Sequence, residues 1–145
     1  MRNLPLLSIL LAAAVSLPAV AQQGPSDSQT AHIVVTANQV DIDAGKLAEK
    51  KGSTEEVRKF GTQMVTDHTA VNKQAVELAR KLKVTPEANA TSASLKKGGD
   101  ENIARLGKLS GKQFDKQYVD NEVTYHQAGI DAVDKTLLPS EEHEE

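Results

Sequence analysis

Apolar residues recur along this chain in steps of three and four, and no stretch alternates as a half-buried strand would. Ile33, Ala37, Val40, Ala44 and Leu47 share one face of a helix predicted from about Thr30 to Lys51, with Gly52 as its C-cap. Ser53 and Glu56 read as a capping box for a second helix. Val57, Gly61, Met64, His68, Val71, Ala75, Leu78 and Leu82 then hold a sustained heptad rhythm, and Pro86 is expected to stop it. The stretch from Thr85 to Gly99 is weakly patterned and reads as mostly loop, broken by Gly98-Gly99. Asp100 is the expected cap of a short third helix carrying Ile103, Leu106 and Leu109, ended by Ser110-Gly111. The fourth helix is predicted from about Gln113 to Leu138, with Val119, Val123, His126, Ile130, Val133 and Leu137 as its seam.

The predicted architecture is therefore all-α: an antiparallel helical bundle of three long helices and one short one. Met1-Arg2-Asn3, the apolar run from Leu4 to Leu17 and the small residues Ala19-Val20-Ala21 read as a cleavable secretory signal over 1–21. A polar leader over 22–29, the bundle over 30–138 and an acidic tail over 139–145 follow. The expected location is periplasmic or secreted, or associated with the outer membrane, with no spanning segment once the signal is removed.

Composition narrows the function classes. The formal net charge is −3, one unit more negative without Arg2, which argues against nucleic acid as a partner. There is no cysteine, so helix packing must hold the fold without disulfides. Two Phe, two Tyr and no Trp leave little material for stacking platforms on carbohydrate or bases. No Ser lies in a nucleophile elbow, and Gly98-Gly99 lacks the companions of a phosphate loop. No catalytic constellation is recognised.

One feature stands apart from this pattern. His68 and His126 each occupy a seam position near the middle of a long helix, where an apolar side chain is expected. If the second and fourth helices pack together, both imidazoles enter one interior layer. Asp43, with Asp41 two residues earlier, Asp67 beside His68, and Glu122 one turn before His126 supply carboxylates. The functional reading is a metal site made of His68, His126, Asp43, Asp67 and Glu122, holding zinc, copper or iron. The structural alternative is a buried polar network that fixes register and binds nothing. Met64 one turn before His68 is read as core.

Several segments together carry a family resemblance. They are Val40 to Ala48, Val57 to His68 with its Met-Val-x-Asp-His ending, Leu109-Ser110-Gly111 with Phe114-Asp115 and Tyr118, and His126. Over about residues 30 to 138 the chain resembles a ferritin-like domain-of-unknown-function family of exported bacterial proteins, often labelled periplasmic or outer-membrane. The resemblance implies a ferritin-like helical bundle and no assigned activity. Two departures bear on function. Residues three before His68 and His126 are Val65 and Val123, where the di-iron pattern needs Glu. The chain also lacks the family's last long helix, so seam residues would be left open to a homodimer or an envelope partner. Two functions follow as expectations: an exported binding or envelope-stress protein without enzymatic activity, and alternatively a metal-binding or redox protein with a His/carboxylate site.

Overall fold

The structure, a computed structural model, describes residues 24–137. The expected signal peptide, the acidic tail and Leu138 lie outside the described residues. Four helices follow in order: α1 Asp27–Lys51, α2 Glu55–Lys81, α3 Ala90–Gly107 and α4 Gly111–Ala132, with a π-helical turn over Val133–Leu137. None of them is long and apolar enough to cross a membrane.

Local chemistry sets the helix ends, with several differences from the sequence reading. Ser26 accepts from the Gln29 amide while the Gln29 side chain accepts from the Ser26 amide, so α1 starts within the expected leader. For α2 the cap is Thr54, accepting from the Val57 amide, and not Ser53, whose amide and hydroxyl both donate to Asp115 at the start of α4. Gly52 ends α1 without a left-handed cap, at φ −52°. Chain termination of α2 precedes Pro86. Lys83 turns into the left-handed region at φ 58°, its amide donates to the Arg80 carbonyl, and the Val84 amide donates to the Ala79 carbonyl. That is a Schellman ending with lysine where glycine is usual.

The largest correction concerns the third helix. It is 18 residues long and begins at Ala90, not at Asp100. Asn89 is its cap, in a reciprocal pair with Ser92. Gly98-Gly99 lies inside the helix rather than in a loop. A Cβ at Gly99 would fall 2.7 Å from the Val40 side chain, so the glycine is what lets α3 lie against α1. The fourth helix is α-helical to Ala132 and continues as the π-helical turn to Leu137.

α1 is the spine. α2 returns along it, and the Glu87 amide donates to the Ser28 carbonyl, which brings α3 back to the start of α1. Lys51 at the end of α1 donates to the Gly107 carbonyl at the end of α3. Successive helices are thus antiparallel, with α1 beside α3 and α4 running the way of α2. The apolar core is Ala44, Ala48, Leu106, Phe114 and Tyr118, and it fills the end of the bundle nearest the α1–α2 connection. At the other end Val71, Leu78, Leu82, Ile130 and Val133 stay exposed.

α1 and α2 meet glycine to glycine. A Cβ on Gly45 would lie 2.8 Å from the Gly61 carbonyl oxygen, and a Cβ on Gly61 would lie 2.8 Å from that of Gly45. Both obstacles are backbone, which cannot swing aside. Gly61→Ala should therefore lower the urea midpoint of unfolding. Overpacking costs about 1–3 kcal/mol, against about 1 kcal/mol gained in helix propensity. Lys83→Gly should raise the same midpoint, by the equivalent of about 1 kcal/mol of stability, since glycine adopts the left-handed cap without the Cβ clash.

Candidate metal centre

The glycine contact sets the spacing of everything above it. Asp41 lies one turn before Gly45 on α1, and His68 lies two turns beyond Gly61 on α2. Both are thereby aimed into the same gap, and α4 closes it with Glu122, Tyr125 and His126.

The two imidazoles meet there. Their ring centroids are 5.5 Å apart and their Nε2 atoms 3.4 Å apart. The outer nitrogens are both engaged. Asn38 donates its Nδ2 to the Val34 carbonyl at 2.9 Å, which leaves its Oδ1 to face His68 Nδ1 at 2.7 Å. An amide oxygen only accepts, so Nδ1 of His68 carries the proton. His126 Nδ1 lies 2.9 Å from the Glu122 backbone carbonyl, again an acceptor only, so it too carries the proton. With both Nδ1 atoms donating, two Nε2 lone pairs point at one another. A metal ion placed between them would be bound by both lone pairs.

Buried carboxylates lie beside the outer nitrogens of the rings. Asp41 Oδ2 is 3.5 Å from His68 Nδ1, and Glu122 Oε2 is 3.9 Å from His126 Nδ1. One ligand atom each from Asp41, His68 and His126 lie within 4.8 Å of one another, a spacing that one cation can span with modest adjustment. Glu122 is 2% exposed and neither of its oxygens has a hydrogen-bond partner as a carboxylate. It faces Asp41, and a contact between two carboxyl groups becomes a hydrogen bond once one of them holds a proton. Burial first, and then Asp41, push the Glu122 carboxyl up to about 8. Burial also raises Asp41, against the opposing pull of His68, His126 and Glu122. The nearby Tyr118 and Tyr125 hydroxyls are likewise pushed up, chiefly by burial and then by these carboxylates. Tyr125 donates to the Ala37 carbonyl at 3.2 Å, while Tyr118 has no partner among the described residues.

Of the residues expected from sequence, His68, His126 and Glu122 come together and two do not. Asp43 is exposed, accepts from Gln39 and pairs with Lys46. Asp67 is also exposed. Asp41 takes the place expected for Asp43, and Asn38 was missed. The available signal was a second stripe on α1: Asn38, Asp41, Gly45 and Ala48, in steps of three, four and three, all of it buried.

An all-α bundle with a histidine–carboxylate cluster between three of its helices is the class that fold and geometry define. The chain belongs to the family described as Domain of unknown function (DUF4142), whose profile matches residues 12–145. No curated protein and no solved structure matches the chain.

The buried Glu122 carboxyl makes stability depend on pH. Its value in the folded chain, about 8, lies above the ordinary 4.5. The folded state therefore binds the proton more tightly, and the associated stability is complete below about 4.5 and lost as pH rises through 8. For metal-free protein the urea midpoint should fall between pH 5 and pH 9, and Glu122→Gln should flatten that fall. Equal slopes in both proteins would show that Glu122 is ionised throughout.

Proposed function

We propose that this protein binds one divalent transition-metal ion per chain through His68 Nε2, His126 Nε2 and the Asp41 carboxylate. Zinc, copper and iron all suit two imidazoles and a carboxylate. The observation that carries the reading is the pair of facing Nε2 lone pairs, whose direction is imposed by hydrogen bonds on the opposite ring edges. Asn38 and the Glu122 carbonyl then act as outer supports that hold each ring in its metal-binding tautomer. Glu122 stands behind Asp41 and orients it. The resemblance to ferritin-like bundles supports the reading, since that architecture builds metal sites from inward side chains on facing helices. The valines at positions 65 and 123 keep it apart from the di-iron pattern.

The setting we propose for this activity is outside the cytoplasm, on the signal-peptide pattern over 1–21. The reading as an envelope binding protein is compatible with it. The exposed Leu78, Leu82 and Ile130 favour association with a second copy or an envelope partner.

Metal analysis of untagged protein tests the proposal. Wild type should hold close to one equivalent after incubation with zinc or cobalt(II) and gel filtration. Each of His68→Ala, His126→Ala and Asp41→Asn should weaken binding by about tenfold or more, with helix content by circular dichroism as the check on folding. Asp43→Asn and Asp67→Asn should bind as wild type does. Equal trace metal in wild type and the double histidine variant would leave the cluster as a proton-bridged structural network.

A further inference from the structure

The donor set is lopsided, and that asymmetry bears on what else a bound ion would meet. Its three protein donors come from three helices: Asp41 from α1, His68 from α2 and His126 from α4. The carboxylates are shut off from water, the Asp41 side chain being 6% exposed. The imidazoles are different. The His126 side chain is 41% exposed and that of His68 is 18% exposed. Beyond the rings, no further His, Asp or Glu among the described residues completes the group. The positions one turn along each helix from the two histidines are apolar. Val123 and Ile130 lie one turn either side of His126, Val71 lies one turn beyond His68, and all three are exposed.

We propose that the metal ion keeps coordination positions open on the His126 side, and that these take a small, weakly hydrated ligand from solvent, a monoanion of the azide type or a neutral diatomic molecule. This rests on the metal-binding reading above. Two neutral imidazoles and one carboxylate leave a divalent ion with positive charge on its open side, which attracts a monoanion. Three protein donors fall short of the four to six that such ions hold, so the remainder must come from outside the protein. The side chains of Val71, Val123 and Ile130 carry no hydrogen-bond donor for a large oxyanion. A strongly hydrated dianion would lose its water there without replacement, and a two- or three-atom ligand would not.

Cobalt(II)-loaded protein reports on this directly, because its visible spectrum follows the ligands of the ion. Cobalt content is measured first, by metal analysis after gel filtration. Sodium azide should then change the spectrum saturably, and sodium sulfate at equal ionic strength should not. Val123→Glu, at a position 66% exposed, should keep its cobalt and bind azide about tenfold more weakly through charge repulsion at the rim. A full equivalent of cobalt with a spectrum that azide leaves unchanged would show the ion to be closed, and would overturn the proposal while leaving the metal site intact. Equal azide affinity in wild type and Val123→Glu would place the open position elsewhere and overturn it as well. Failure to hold cobalt at all would bring down the metal reading itself.

Discussion

The closest constraint in this bundle is the mutual contact of Gly45 and Gly61. Each glycine sits against the other's carbonyl oxygen, at a distance that no side chain tolerates. Two helices that touch backbone to backbone have little freedom to slide or roll, because the carbonyl of each fits the notch left by the other's missing Cβ. The register between α1 and α2 is fixed there, and Asp41 and His68 inherit it. Had the contact been made by leucines, the axes would stand farther apart, and the Asn38 amide would not reach His68 Nδ1. The tautomer argument for the centre thus begins two turns away, in a pair of residues with no side chain.

α1 shows why the site was only partly legible in the sequence. Its predicted stripe of Ile33, Val40, Ala44 and Leu47 supposes one covered face, the geometry of a helix on the outside of a bundle. In the structure α1 is covered on two sides, by α2 and by α3, so polar positions next to the stripe are buried too. Asn38 and Asp41 fall on that second face, and Asp43, two residues on, points to solvent. A single-face reading chooses Asp43 because it flanks the visible seam. The histidines were legible for the opposite reason: each interrupts an apolar rhythm, and an interruption is visible in one sequence alone.

α2 and α4 carry a second lesson about phase. The sequence pattern on α2 is a strict heptad, and a straight helix drifts about 20° per heptad away from such a pattern. Gly61 and Met64 are buried as the pattern requires. By the far end the buried residue is Ala79, while Leu78 and Leu82 are exposed. On α4 the inward line is Phe114, Tyr118 and Glu122, and the predicted seam of Val119, Val123 and Ile130 lies on its flank. His126 stands at the border between the two lines. That border position explains its intermediate exposure, and with it the open side of the cluster. The third helix was misread for a simpler reason. Two consecutive glycines signal a loop in isolation, and only the presence of Val40 across the interface shows why Gly99 belongs in a helix.

The energetics of the cluster bear on whether it is merely structural. A polar network retained for register is expected to satisfy its members, because an unpartnered buried group costs about 1–3 kcal/mol. Asn38 meets that expectation, with both its amide groups engaged. Glu122 meets it only by holding a proton: as a carboxylate it has no donor, and as a carboxylic acid it can donate to Asp41 beside it. Two acids side by side, facing two imidazoles whose lone pairs converge, form an arrangement whose acids and imidazoles gain when a cation arrives. The three helices that supply these groups are held together by apolar packing that begins one turn away, around Phe114 and Tyr118. The scaffold can therefore carry the unfavourable cluster without depending on it, which is the division between support and site found where local rules are broken for function.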